Sequence, residues 1–458
     1  MRSARTWETF AGKRVLLLQG PLGPFFKNLA RSMTAAGAEV HKVNFNGGDF
    51  LFYPKNALAF TGKMPDWPTF LEGLLERLQI DVIVLFGDCR PLHRAAREIA
   101  NRRFIKVGVF EEGYIRPNYV TFEQFGVNGY SQLEREPQFL NTQPLKVRHK
   151  EIQVGNTFWY AALWAALYYL AADLGRPFFR HYVHHRPLCV SELMPWLRAG
   201  IRKWVYARKE HGLLQALTGP LSKQFYLVPL QISTDSQILQ HSEFNSVAEF
   251  IEETVESFAL HAPHETLLAI KHHPLDRGYH DYAALIRDLG EKYRLGGRLL
   301  YLHDQHLPTL FDHMRGAVVI NSTVGFSALA HDGAVKTCGR AIYDLPGLTY
   351  QGSLNRFWSD ATNFSPDRGL AERFRAHVIE QTQLEGSFYK GDLESGASTS
   401  VARPLWQVVP WEPSVACLWP VQQSSNANSR WSMRDSVEPH ASQSTVGSRM
   451  WSGSIDKR

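Results

Sequence analysis

A chain of two doubly wound α/β units is predicted by three observations. Short apolar runs of strand length alternate with helix-periodic segments over most of the chain. The alternation is interrupted once, by an uncharged apolar-aromatic segment at residues 158–172. Several apolar runs end in polar residues suited to chemistry, and open α/β sheets bind ligands outside the carboxyl ends of their strands. With 458 residues, 44% hydrophobic and 21% charged, the chain has room for two such units and a tail.

The first unit begins with a strand at Arg14 to Leu18 that runs into the glycine turn Gly20-Pro21-Leu22-Gly23-Pro24, followed by helical periodicity from Phe25. Glu39 to Phe45 reads as a strand, Trp67 to Leu78 as a helix and Asp81 to Phe86 as a strand ending at Gly87-Asp88. A helix from Arg90 to Asn101 precedes the strand Ile105 to Phe110, which ends in Glu111-Glu112-Gly113-Tyr114. Strands alternating with helices favour a parallel sheet. The segment Phe158 to Ala172 is shorter than the roughly 20 residues a spanning helix needs. It reads either as a buried core helix or as an interfacial one, because tryptophan and tyrosine favour headgroup depth. The basic residues after it (Arg176, Arg180, His181, His184, His185, Arg186, Arg198, Arg202, Lys203, Arg208 and Lys209) suit anionic lipid, or equally a solvated helix face.

The second unit has strands at Phe225 to Leu230, Leu267 to Ile270, Leu299 to Leu302, Ala317 to Ile320 and Ala334 to Thr337, with a closing helix from Arg368 to Gln383. From about Ser395 the composition turns to Ser, Gln, Asn and Arg with little periodicity, which reads as a low-order tail. The expected spans are 1–150 for the first unit, 151–215 for the apolar and basic helical segment, 216–390 for the second unit and 391–458 for the tail.

The formal net charge of +6 fits an anionic partner. The basic residues form none of the nucleic-acid modules, so no nucleic-acid partner is expected. Four widely spaced cysteines give neither a zinc pattern nor a disulfide framework, and the start of the chain has no apolar secretion core, so a cytoplasmic setting is expected. The sequence lacks G-x-G-x-x-G, a P-loop and a nucleophile elbow, which disfavours a dehydrogenase, a P-loop NTPase and a serine hydrolase. It also lacks an Asp-x-Asp pair, and no metal or other cofactor is expected.

Adjacent carboxylates at a strand end repel one another, and partial burial would raise a pKa and suit Glu111 or Glu112 to acid–base or nucleophilic work. An acidic helix start, or pairing with Arg116, would explain them structurally instead. Asp88 is a second candidate acid, or a helix cap. Lys271, His272 and His273 end a strand before Pro274 and offer donors to a phosphate. Adjacent residues of an extended segment face opposite ways, which favours His273 as the site residue and His272 as structural. Asn321-Ser322-Thr323-Val324-Gly325 reads as a helix N-terminus able to hold a phosphate, or as a plain cap. The Gly20–Gly23 turn and Arg116 are placed beside an acceptor.

In this order, Gln19–Phe26, Phe86–Pro91, Phe110–Pro117, Lys271–Pro274 and Asn321–Gly325 resemble the KpsS/LipB family of capsule polysaccharide proteins. The resemblance covers roughly the first 385 residues and leaves out the tail. It implies a GT-B-like fold, two Rossmann-like domains facing a cleft. It implies a β-Kdo transferase that takes Kdo from CMP-Kdo and adds it to lysophosphatidylglycerol, starting the glycolipid linker of a capsule at the cytoplasmic face of the inner membrane. Carried over by motif, Glu112 with Glu111 supplies the catalytic carboxylate. His273 and the Ser322-Thr323 helix end hold the CMP phosphate, and Lys271 adds charge. Other capsule biosynthesis and export proteins are implied as partners. The alternatives are a non-catalytic assembly or export factor, or a transferase using another nucleotide sugar.

Overall fold

The computed structural model describes residues 7–143, 153–183 and 193–390. The tail from 391 and the basic residues His184, His185 and Arg186 lie outside the described residues. The strands are β1 Arg14–Leu17, β2 Glu39–Asn44, β3 Leu58–Ala59, β4 Val82–Phe86, β5 Lys106–Glu112, β6 Tyr119–Gln124, β7 Phe225–Pro229, β8 Leu267–Lys271, β9 Leu299–Leu302, β10 Gly316–Val319, β11 Val335–Thr337 and β12 Gln383–Glu385. They make two sheets, ordered β12-β6-β5-β4-β1-β2-β3 and β11-β10-β7-β8-β9. The second sheet is parallel throughout. The first is parallel from β3 to β5 and gains two antiparallel strands, β6 and β12, at one edge.

The strands form where they do because β1, β4, β7 and β10 are almost continuously apolar, as expected of strands covered on both faces. Their covers are amphipathic. Helix Phe25–Ala35 buries Phe25, Phe26, Leu29, Ala30 and Met33 along one stripe, and helix Trp67–Leu78 buries Trp67, Leu71, Leu74 and Leu75. Buried Trp67 keeps its indole N–H satisfied by the Leu92 carbonyl at 2.9 Å. In the second unit, helix Val247–His261 starts at Ser246, whose hydroxyl accepts from the Glu249 amide.

Two features bear on the site. The first is the path of the chain after the second sheet. Helix Arg368–Thr382 leads into β12, which pairs with β6 of the first sheet as Gln383↔Thr121, Leu384↔Val120 and Glu385↔Tyr119. Residues 216–390, read from sequence as one unit, thus end in a strand of the first sheet. Gln383 is fully buried; its carbonyl oxygen accepts from the Tyr114 amide at 3.0 Å and its amide donates to Thr121 Oγ1 at 2.9 Å.

The second feature is helix Phe158–Leu174. Ala165, Tyr168 and Ala172 are buried, whereas Trp159, Leu163, Leu170 and Leu174 are exposed. It packs closely on Gly47, where an added Cβ would stand 2.0 Å from the Ala171 carbonyl oxygen. The helix is therefore no core helix: one apolar face is covered and the other is open. Among the described residues, no helix is long and apolar enough to cross a membrane. Part of the basic stretch forms helix Leu193–Lys209, which is fastened to the second unit. Arg202 donates to the Arg277 carbonyl at 2.7 Å and pairs with Asp281 at 3.2 Å, and the Tyr206 ring stacks on His303 at 3.5 Å.

Replacing Gln383 by Ala is expected to strip the buried Tyr114 amide of its closer acceptor and to cost about 1–3 kcal/mol of stability. Chemical denaturation monitored by tryptophan fluorescence measures this; an unchanged midpoint would show that the β12 junction contributes little.

Candidate active site

Strand β5 outruns its parallel neighbour. The register with β4 ends at Phe86↔Phe110, while β6 goes on to pair Thr121 with Glu111 and Val120 with Glu112. The two carboxylates thus stand on a two-stranded ribbon beyond the parallel edge, with successive side chains on opposite faces. Gly113 permits the ribbon's close turn, since an added Cβ would lie 2.1 Å from the Tyr119 carbonyl oxygen.

Glu111 folds back so that Oε1 accepts from the Glu112 amide at 3.0 Å. Its Oε2 faces Gly87 at the end of β4, where an added Cβ would meet it at 3.6 Å and Arg90 Nε at 3.5 Å. Gly87 has φ +73°, a conformation that glycine adopts without strain. Burial, reinforced by the charges of Asp88 and Glu112, pushes the Glu111 carboxyl up to about 7 against the Glu112 amide and Arg90. A carboxyl so poised exchanges its proton near neutral pH. Glu112 Oε1 accepts from the Tyr389 hydroxyl at 3.0 Å.

Asp88 is fully buried below the ribbon. It accepts from the Val127 amide at 3.0 Å and from Cys89 Sγ at 3.3 Å, with Arg97 at 3.8 Å. Its geometry ties down the loop after β6 and leaves it no open face toward a ligand, although its charge bears on Glu111. Gly20 and Gly23 make room for the protein's own side chains. An added Cβ would stand 2.8 Å from the Phe26 ring at Gly20 and 2.9 Å from the Trp164 ring at Gly23. Arg116 is exposed on the loop after Glu112, and its Nε donates to the Gly113 carbonyl at 3.2 Å.

In the second unit, His272 turns inward, with Nδ1 2.8 Å from the Tyr301 hydroxyl, while His273 is partly exposed. His273 Nδ1 accepts from the Leu275 amide at 3.2 Å and caps the short turn Pro274–Asp276. That bond leaves the proton on Nε2. Burial, then the charge of Lys271, with His272 and Arg116 adding to it against Asp276, holds the imidazole down at about 4. At neutral pH His273 is therefore an uncharged N–H donor. Lys271 is buried and donates to the His303 carbonyl at 3.0 Å, behind His273 and not into the open. Ser322 Oγ accepts from the Val324 amide at 3.2 Å and caps helix Thr323–Leu329. Thr323 is part-buried beside it, and Gly325 makes room for the Tyr343 hydroxyl, 2.3 Å from an added Cβ.

The two units touch where helix Ser236–His241 meets the loops after β4 and β6. His241 Nε2 lies 3.7 Å from Cys89 Sγ, and its ring meets Tyr130 edge-on at 4.5 Å. Sequence reasoning missed Gln19 as a junction. Its amide donates to the hydroxyls of Tyr182 at 2.7 Å and Tyr168 at 3.2 Å, while its carbonyl oxygen accepts from Arg90 at 2.9 Å. Gln19 and Arg90 belong to motifs singled out above, which gave no sign of their mutual contact; Tyr389 has no local signal, being 277 positions from its partner Glu112.

Fold and site define an α/β protein of two Rossmann-like units, with an acidic strand end in the first and a histidine strand end in the second. The family model described as capsule polysaccharide biosynthesis protein matches residues 81–389, and the chain belongs to that family. It is 40% identical over 389 residues to the capsule polysaccharide export protein KpsS of Escherichia coli, covering 83% of this chain and 97% of that protein. It is 39% identical over 388 residues to the capsule polysaccharide modification protein LipB of Neisseria meningitidis serogroup A, covering 83% and 92%. Among solved structures, Thermosulfurimonas dismutans KpsC, a β-Kdo 2,7 transferase, is 15% identical with a TM-score of 0.34, covering 73% of this chain and 98% of that one. That likeness is too distant to carry a functional argument.

Glu111 has a folded-state pKa above its ordinary 4.5. The folded state therefore loses stability, relative to a neutral side chain, as pH rises from about 4.5 through 7. Glu111→Gln is expected to stabilise the protein by about 1–3 kcal/mol at pH 8, with the gain gone near pH 4.5. Denaturation midpoints of both proteins across this range test it; a pH-independent difference would rule out the raised carboxyl.

Proposed function

We propose that this chain is a β-Kdo transferase that moves Kdo from CMP-Kdo to a lysophosphatidylglycerol acceptor at the cytoplasmic face of the inner membrane. The observation that carries the reading is the pair of carboxylates borne past the parallel edge of the first sheet, Glu111 folded onto the Glu112 amide at 3.0 Å and Glu112 held by the Tyr389 hydroxyl at 3.0 Å. A donor at that ribbon would have its sugar near two carboxylates, and the Arg116 guanidinium and the His273 imidazole N–H are the groups suited to its phosphate. Curated relatives at about 40% identity that work on capsule polysaccharide support the same direction.

In this reading His273 Nε2–H and Arg116 hold the phosphate of the leaving CMP, with Thr323 and the capped helix start alongside. Glu112 meets the sugar as the nucleophile of a retaining reaction or as the base that activates the acceptor. Glu111, titrating near neutrality, takes up the acceptor's proton in the first case. The membrane side of the reading rests on the exposed apolar faces. Trp159 is 76% exposed and Leu174 72% on one helix, and Ile201 66% and Trp204 61% on the other. Arg198, Lys203, Arg208 and Lys209 are exposed beside the second face. Tryptophans with adjacent cations suit an anionic bilayer surface.

With CMP-Kdo generated in place and a fluorescent lysophosphatidylglycerol, mass spectrometry is expected to show addition of one Kdo. Glu112→Gln should lower turnover by at least about a thousandfold with CMP binding retained, and His273→Ala should weaken kcat/KM about ten- to a hundredfold. Near-normal turnover by Glu112→Gln would refute its catalytic role. Lipid binding without any sugar transfer by the wild type would instead indicate a non-catalytic assembly or export factor. Separately, Trp159→Glu with Trp204→Glu is expected to reduce sedimentation with phosphatidylglycerol vesicles at least about tenfold; unchanged binding would remove these helices from the docking surface.

A further inference from the structure

Tyr389 lies far from every motif, yet its hydroxyl is on Glu112 Oε1 at 3.0 Å. The segment that carries it is held on three sides. Strand β12, four residues earlier, is paired to β6. Phe388 packs edge-on against Phe25 at 4.9 Å and Phe86 at 5.1 Å, within the core of the first unit. The indole N–H of Trp164 donates to the Tyr389 carbonyl oxygen at 3.0 Å. Trp164 belongs to the inward side of helix Phe158–Leu174 and rests on Gly23 and the Phe52 ring, 5.7 Å away. A hydroxyl that binds one carboxylate oxygen fixes the plane of the group and leaves the second oxygen to react.

We propose that Tyr389 is a positioning residue for Glu112, and that Trp164 of the exposed apolar helix holds Tyr389 in place. The polar chain runs from the Trp164 N–H through the Tyr389 backbone and ring to the carboxylate. A shift of the helix therefore reaches Glu112 without any contact between helix and donor. This rests on Glu112 being the working carboxylate of the reading above.

The test combines geometry and kinetics. Modification of Glu112 by a water-soluble carbodiimide, followed by peptide mass spectrometry, needs neither donor nor acceptor. Tyr389→Phe keeps the ring and removes only the hydroxyl, Trp164→Phe keeps a smaller aromatic ring and removes the N–H, and each is expected to speed labelling of Glu112 several-fold, with the double variant no faster than Tyr389→Phe. In turnover, Tyr389→Phe should lower kcat about tenfold with little change in donor KM, and Trp164→Phe should add nothing to that loss. Unchanged labelling in both variants, or losses that simply add, would overturn the proposal. A wild-type chain that transfers no Kdo would defeat the enzyme reading, while the labelling comparison would still decide whether Tyr389 and Trp164 hold Glu112.

Discussion

Everything at the candidate site hangs on the pairing of β5 with an antiparallel β6 past the point where β4 stops. A strand that leaves a parallel sheet exposes unpaired backbone groups, and those groups must be satisfied if it is to stay extended. Strand β6 supplies that pairing through Glu112↔Val120. Its loop is braced from below by Tyr114, whose hydroxyl donates to Glu123 at 2.6 Å and accepts from the Asn128 amide at 2.6 Å. With the ribbon fixed, one carboxylate turns toward β4 and Arg90 and the other toward Tyr389. Without it, neither would have a defined neighbour.

The charges at the two strand ends are arranged differently. On the acidic side, burial works against ionisation in graded fashion: Asp88 is sealed and tied to Val127, and Glu111 is poised near neutrality. On the other side the obvious cation, Lys271, is turned into the interior, and His273 is left uncharged. The exposed positive charge comes from Arg116, on the acidic unit itself.

Most of the regular structure was legible in the sequence because both periodicities were strong. The helix at Trp67–Leu78 and the strand at Leu299–Leu302 fall where the pattern puts them. Strands β6 and β12 were not legible, for a physical reason: Tyr119–Gln124 mixes polar and apolar residues, and Gln383–Glu385 is too short to show any period. The residues of the strand-end motifs were legible, but their partners were not. Gln19, Tyr389 and His241 act through contacts between distant segments, which no local spacing reveals. Glycine was the least transparent residue: Gly20, Gly23 and Gly325 stand against aromatic side chains of the chain itself, where a ligand-facing turn was expected.

Strand β12 joins the first sheet from the far end of the described chain, and this has a consequence for synthesis. While the ribosome is still making the second unit, β6 has no partner on its outer side, and an open strand edge invites pairing with other chains. The first unit emerges early yet is finished only when residues 383–385 arrive, about 260 positions after β6. The nascent protein therefore passes through a long interval with its amino-terminal half incomplete. During that interval, protection of one exposed edge would govern how much of the chain reaches its native form.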